Sequence, residues 1–489
     1  MPKKIINLII GTLLIAAFTL RVWNLDQLLG FYYDQGRDAL VIWDLWHKGE
    51  LFLIGPTTGL AGIFRGPYYY YLIAPFYLLG SGNPVVPAVF LVLTTVVAIY
   101  ILYRLGKEFH STAAGIIAVI LASFSFQLVI AARWLSNPTP MFLLSTILIW
   151  GMYQITQGKK WGWPVIAAVS GLSLFNFGSS GELFYLPAIA IFAIWQRKNW
   201  PDSKNFAVSV LFFVLTFAPL VLFDLKHDGI LQKGISDHFV AEKSFTMPTK
   251  FLLEERTKFY YEVFPNKIFH SLATREIYLL IAVVIIFLLF LLKYLKNTKI
   301  KILLLLLISP IIGLYFYQGN DTVLYDYYMT GYYYLFILLV AVVLGSAWKY
   351  KLGKLFVIYF LFIFLINNSQ FLKIKLSDKS DGPNSLSLIN QKQAVDWVYK
   401  DSGDVKFNVD VYVPPVISYS YDYLFLWQGT NDYKRIPEGE RVNLLYTLYE
   451  QDNPHPERLN SWLARQKGIG KVEKTEKFGA ITVEKRTRL

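Results

Sequence analysis

The run Val85-Val-Pro-Ala-Val-Phe-Leu-Val-Leu-Thr-Thr-Val-Val-Ala-Ile-Tyr-Ile-Leu-Tyr103 carries no charge over 19 residues and ends just before Arg104 and Lys107. As a helix it is long enough to cross the hydrocarbon of a bilayer, and the basic pair marks the end that stays on the cytoplasmic side. The rest of the chain has the same character. Of 489 residues, 55% are hydrophobic and only 17% charged, with a mean hydropathy of +0.41; soluble chains carry about a quarter charged residues. The expected fold class is an α-helical polytopic membrane protein. The absence of cysteine removes disulfides, thiolate metal sites and cysteine nucleophiles together.

Eleven spans are predicted, near 5–22, 85–103, 112–130, 138–156, 162–177, 183–196, 205–223, 277–292, 302–317, 331–347 and 354–367. No small-x-small cleavage pattern follows the first, so it reads as a retained span. The stretch Tyr68–Gly80 has 13 residues, with Pro75 and five tyrosines, and is too short to cross. Leaving it on the surface places 16 Lys and Arg residues in alternate connections, against Arg133 alone in the short loops 131–137, 178–182 and 318–330 of the other face. That asymmetry orients the chain with a cytoplasmic N-terminus, as expected for an inner-membrane protein, and accounts for the net charge of +13 without nucleic acid. Three larger segments then face outward: 23–84, 224–276 and 368–489. The transmembrane unit is 1–367. The outer unit 368–489 reads as a small α/β domain, with a helix over Ser385–Lys400, a strand over Val405–Val413 and a hairpin over Lys471–Arg486 turning at Phe478–Gly479.

Ion-coupled transport and conduction need intramembrane charges or broken helices. The spans read as nearly free of ionisable residues, with Gln127, Gln154 and Asn176 their strongest polar groups. Polar chemistry gathers in the outer loops, which favours an enzyme over a transporter.

The first outer loop, Phe31-Tyr-Tyr-Asp-Gln-Gly-Arg-Asp-Ala-Leu-Val-Ile-Trp-Asp-Leu-Trp-His-Lys-Gly49, predicts an interfacial helix, with Ala39, Ile42, Trp43 and Trp46 on one face and Gly49 as its stop. Asp34 falls at its start, as a helix cap or as a general base taking a proton from an acceptor hydroxyl. Arg37, one turn on, pairs with Asp34 or Asp38, or binds phosphate. Arg65 precedes a helix starting at Pro67, where it either snorkels or joins free N–H groups in a phosphate cradle.

The run Asp34-Gln-Gly-Arg37-Asp-Ala39, followed by Arg65-Gly-Pro67-Tyr-Tyr-Tyr-Tyr71, resembles the membrane glycosyltransferases of the protein-O-mannosyltransferase and aminoarabinose-transferase type, which have the C-type fold of lipid-linked sugar transferases. Ala132-Arg133-Trp134 and Phe223-Asp-Leu-Lys226-His227 extend the likeness. The resemblance implies that Asp34 is the catalytic base, and that Arg37, Arg65 and Lys226 or His227 hold the phosphate of a polyprenyl-phosphate sugar. Gln35 stands where many members have Glu; either Asp38 substitutes for that carboxylate or the acceptor is held differently.

Arg133 reads as a headgroup anchor or a substrate ligand. Glu182, after the turn Gly178-Ser-Ser-Gly181, reads as a helix-dipole partner or a second acidic site residue. Asp224, Lys226, His227 and Asp228 lack the second histidine that a metal site would want; phosphate binding is the preferred reading. Asp321, Asp326 and Tyr325, Tyr327, Tyr328, Tyr332, Tyr333 and Tyr334 form an interfacial tyrosine belt or a sugar-binding surface, with Tyr328 and Tyr332 as its candidates. The expectation is an inverting transferase moving a hexosyl or pentosyl unit from a polyprenyl-phosphate sugar to a hydroxyl of a protein, a glycolipid or a cell-envelope glycan. No cofactor is required, and a divalent cation finds no support in the sequence. A glycan ligase or polymerase, and a lipid or polysaccharide transporter, are the alternatives.

Overall fold

The computed structural model describes all residues except 1, 59, 61, 238–248, 318–322 and 415–416; Asp321 therefore lies outside the described residues. From the N-terminus, α1 (Lys3–Val22) leads through a single turn, α2 (Leu25–Leu28), to α3 (Tyr33–Lys48) and the short α4 (Tyr68–Leu79). The bundle continues with α5 (Val85–Phe109), α6 (Thr112–Phe124), α7 (Phe126–Ala132), α8 (Met141–Thr156), α9 (Gly162–Leu172), α10 (Tyr185–Trp195) and α11 (Ser203–Lys226). Two helices, α12 (Ile230–Ser236) and α13 (Thr249–Asn266), precede α14 (Thr274–Lys296), α15 (Thr298–Phe316), α16 (Thr330–Ala347) and α17 (Lys351–Leu376). Among the described residues, seven helices are long and apolar enough to cross a bilayer, or eight if the bent pair α6–α7 counts as one span. Three shorter apolar segments, Met141–Thr156, Gly162–Phe177 and Ser180–Trp195, lie over the fourth to sixth sequence spans. Helix α16 is enclosed on nearly every side, which makes it the axis of the bundle.

The bundle departs from the sequence reading at α6–α7. The apolar run 112–130 is broken, with a bend of 66° at Ser125. A break strands carbonyls at the end of one helix and N–H groups at the start of the next, and hydrocarbon offers them no partners. Arg21, at the end of α1 and fully buried, donates to Ala122 O at 2.8 Å and Ser123 O at 3.1 Å. On the far side of the break, Asn368 Oδ1 accepts from Phe126 N at 2.8 Å, and the Ser125 hydroxyl accepts from Leu128 N. The chain thus holds both an ionisable side chain in a span and a broken helix. Both serve the backbone rather than a permeating ion, because both terminal nitrogens of Arg21 donate to carbonyls.

Helix α17 runs past the expected boundary at residue 367 to Leu376. Beyond it lie α18 (Leu388–Ser402), β1 (Phe407–Tyr412), α19 (Tyr419–Gln428), β2 (Leu444–Glu450), α20 (Pro456–Ile469), β3 (Gly470–Phe478) and β4 (Ile481–Arg488). The strands form one sheet in the order β1-β2-β4-β3, with β1 and β2 parallel and the other pairs antiparallel. This domain seats α19 on α3. At Gly36 the two backbones come so close that an added Cβ would lie 2.3 Å from Ser420 N. Tyr33 meets Tyr419 with ring centroids 5.0 Å apart, and Leu388 N donates to Leu29 O at 3.0 Å.

Replacing Arg21 with Met keeps the bulk but leaves the Ala122 and Ser123 carbonyls unpaired. The expected loss is at least ~2 kcal/mol of stability, read as a lower unfolding midpoint in detergent. An unchanged midpoint would mean that those carbonyls are served otherwise.

Candidate active site

Helix α3 presents its first turn to the space between the loops. Gln35, buried, reaches back to accept from Tyr32 N at 3.1 Å, and its amide donates to Leu135 O at 3.1 Å. The second bond explains the amide: a carboxylate there would face a carbonyl oxygen with nothing to donate. Asp34 precedes it with its side chain 56% exposed, and its Oδ1 pairs with Arg37 Nη1 at 2.9 Å. Arg37 also donates to Thr57 Oγ1 at 2.8 Å, and to Asp38 Oδ1 through Nε at 3.0 Å and Nη2 at 2.7 Å.

Asp38 is only 5% exposed, and Tyr70 of α4 donates to the same Oδ1 at 2.8 Å. Burial pushes the Asp38 carboxyl up to about 6, against the pull of Arg37 and Tyr70. Burial also opposes the Arg37 charge, but Asp38, Tyr70 and Asp34 outweigh it and hold the guanidinium above its ordinary value. The result is a chain of contacts, Tyr70–Asp38–Arg37–Asp34, in which Arg37 stands between a buried carboxylate and a solvated one.

Arg65 closes a hairpin in which Gly55 N donates to Arg65 O and Thr57 bridges to Phe64. Its guanidinium donates to Gly178 O. Desolvation lowers the Arg65 pKa, while Glu182, Tyr327, Tyr328 and Asp34 act on it in the opposite sense. Arg65 and Asp34 therefore belong to one electrostatic cluster although 31 positions separate them in sequence. The cradle expected at the start of α4 is partly filled already: Gly66 N donates to Phe175 O, and Tyr68 N to Asn176 Oδ1 at 3.3 Å. Asn176 in turn donates to Thr216 O at 2.9 Å, fastening the loop to α11.

Lys226 and His227 end α11, both exposed. His227 Nδ1 lies 2.8 Å from Phe223 O, and Phe223 packs on Phe64 of the hairpin at 5.5 Å. Lys226 has no hydrogen-bond partner among the described residues. Asp224 accepts from Leu231 N at 2.7 Å and caps α12. Among the described residues, no three His, Asp or Glu side chains gather as metal ligands.

The remaining candidates support the loops. Arg133 is buried and donates to the carbonyls of Leu20, Arg21, Trp23 and Asn24 at 2.8–3.4 Å, sealing the end of α1. Glu182 accepts from Ser179 N at 2.6 Å and Gly331 N at 2.8 Å, and Tyr332 donates to Gly181 O at 2.8 Å; both pin the 178–182 turn to α16. Tyr328 packs edge-on against Tyr327 at 4.9 Å, next to Arg65 in the cluster. Sequence reasoning missed Thr57 and Lys267, and it read Tyr70 only as part of a motif and Tyr327 only as part of the tyrosine belt. Lys267 is buried, bonds both oxygens of Asp326 at 2.9 and 2.7 Å, and lies over the Tyr333 ring. No one-dimensional pattern marks these contacts, since each spans twenty or more positions of sequence.

Comparison with known proteins gives one answer. Residues 65–223 match the family described as dolichyl-phosphate-mannose-protein mannosyltransferase; Arg65, Arg133 and Glu182 lie inside the match, and Asp34, Arg37 and Lys226 outside it. The structure is similar to that of ArnT from Cupriavidus metallidurans bound to undecaprenyl phosphate, with a TM-score of 0.61, 9% identity and coverage of 99% of this chain and 98% of that one. It is similar to the oligosaccharyltransferase of Archaeoglobus fulgidus in complex with zinc and sulfate, with a TM-score of 0.54, 14% identity and coverage of 95% and 71%. The same archaeal enzyme, AglB, in complex with an inhibitory peptide and a dolichol-phosphate, matches with a TM-score of 0.51 and 12% identity over 95% and 72% of the two chains. No curated protein sequence matches. The fold is the C-type fold of membrane glycosyltransferases, and the resemblance read from the loop motifs holds.

Difference infrared spectroscopy should find the Asp38 carboxyl titrating near pH 6. The Tyr70 hydroxyl donates to the ionised form, so Tyr70→Phe makes ionisation harder and moves the midpoint to higher pH by about one unit. An unmoved midpoint would remove Tyr70 from this network.

Proposed function

We propose that this protein is an inverting glycosyltransferase that moves a sugar from a polyprenyl-phosphate carrier to an acceptor hydroxyl at the extracytoplasmic face of the inner membrane. The observation that carries the reading is the solvated Asp34 carboxylate, paired with Arg37 and within the electrostatic reach of Arg65. A relative of the same fold holds undecaprenyl phosphate and another a dolichol-phosphate, which supports a lipid phosphate as the carrier here. The unit transferred in this reading is a hexosyl or pentosyl group, and the acceptor a protein, a glycolipid or a cell-envelope glycan.

In this reading Asp34 takes the proton of the acceptor hydroxyl as that oxygen attacks the anomeric carbon from the face opposite the phosphate. The bond between the anomeric carbon and the phosphate oxygen breaks, and the lipid phosphate leaves with its electron pair. Arg37, Arg65 and Lys226 or His227 meet the charge that develops. Arg37 has a further part to play. In the resting site its Nη1 is shared between Asp34 and Thr57. An arriving phosphate competes for that edge, so donor binding loosens Asp34 as the base is needed. Three cationic side chains are enough to neutralise a monophosphate leaving group, so the reaction needs no divalent ion.

Incubating the purified protein with a panel of polyprenyl-phosphate sugars and following free lipid phosphate tests the reading. Asp34→Asn should stay folded and lose transfer by about a hundredfold or more; near-normal transfer would remove Asp34 as the base. Arg65→Ala should raise KM for the donor more than for the acceptor, and the opposite split would reassign Arg65. Transfer should survive chelation by EDTA, and loss that added cation restores would install a metal in the mechanism.

A further inference from the structure

A cavity lies at the other end of α3. It has a volume of about 200 Å³ and opens between the last turns of α3, the turn after α4 and the C-terminal domain. His47 stands 13 residues beyond Asp34, about 20 Å along the helix axis at 1.5 Å per residue. Trp46, 41% exposed, forms one wall, its indole held by a hydrogen bond from Nε1 to Ala74 O at 3.1 Å. Beside it Trp43 and His47 stack with centroids 3.8 Å apart. Tyr77, Tyr423, Ser81 and Asn431 also line it, among apolar neighbours that include Ile42 and Leu78.

Two of the polar valences left over in this cavity are acceptors, and hydroxyls that can donate or accept stand beside them. His47 Nδ1 lies 2.9 Å from Trp43 O; a carbonyl only accepts, so that nitrogen carries the proton and Nε2 of the neutral ring is an acceptor. Asn431 spends one of its two amide N–H groups on Ser81 O at 2.8 Å, and its Oδ1 is left as an acceptor. The Ser81 hydroxyl has no partner among the described residues. No Lys, Arg, Asp or Glu lines the cavity, so it has no carboxylate, ammonium or guanidinium with which to select a charged ligand. Fixed aromatic faces beside hydrogen-bond acceptors suit a neutral ring with an apolar C–H face and a rim of hydroxyl donors.

We propose that this cavity is a carbohydrate-binding pocket for one neutral pyranose ring, separate from the Asp34 site. The ring lies against Trp46 and gives its hydroxyl protons to His47 Nε2 and Asn431 Oδ1. The same ring can come from a soluble glycan or from the headgroup of a glycolipid.

Saturation-transfer NMR on the full-length protein separates the two sources. One arm uses free methyl pyranosides of glucose, galactose, mannose and N-acetylglucosamine with protein in detergent. The other uses nanodiscs containing a galactosyl diacylglycerol. Ring-proton transfer in either arm is expected, with affinity falling at least tenfold in both Trp46→Ala and Asn431→Ala and unchanged in Asp34→Asn. Transfer confined to the nanodiscs assigns the ring to a lipid headgroup, and transfer in the detergent arm assigns it to free sugar. No transfer in both arms overturns the proposal, as does transfer that survives Trp46→Ala and Asn431→Ala or is lost in Asp34→Asn. Loss of activity in the lipid-phosphate assay does not bear on the pocket, so the two readings fail independently.

Discussion

Burying a carboxylate is costly unless hydrogen-bond donors meet it, and Asp38 is buried at the foot of the candidate site. Arg37 gives it two N–H groups and Tyr70 an O–H. Once the guanidinium is committed on one edge, its planar fork leaves only Nη1 to turn toward Asp34 and Thr57. The solvated acid thus takes its orientation from the buried one. Because Tyr70 belongs to α4 and Thr57 to the hairpin before it, the same bonds tie the interfacial helix to the chain that delivers Arg65.

The need to satisfy stranded backbone groups shapes the rest of the bundle. Arg21 covers the end of α6, Asn368 and Ser125 the start of α7, Arg133 the end of α1, and Glu182 the start of α16. Each does by side chain what water does at an exposed helix end. These residues are polar and sit near the loops, which is the profile of a substrate ligand as well as of a helix cap. Only their partners tell the two apart.

That ambiguity explains which parts of the molecule could be read in advance. Hydropathy located the apolar segments, because crossing a bilayer constrains composition over about twenty consecutive residues. The period of α3 and the hairpin of β3 and β4 were visible for the same reason: each is a local pattern. The break at Ser125 was not, since an apolar run gives no sign of where its backbone turns, and nothing in the span 5–22 showed that its Arg21 would serve another helix. In the site, Asp34 and Arg37 stood out as neighbours on one helix turn. Tyr70 and Thr57 reach them from other elements, and Arg133 and Glu182 proved to face carbonyls and N–H groups that no motif reveals.

The contact at Gly36 has a wider consequence. Ser420 presses its backbone against α3 two residues after Asp34, while Trp427 and Asn431 hold the turn after α4 through Ser81 O. The two halves of the chain are not modules that can be grafted or trimmed at will. A chain cut after Leu376 would expose a backbone groove on α3 shaped for a partner it no longer has. Exchange of the distal half among homologous proteins therefore has to carry the complementary surface along with it.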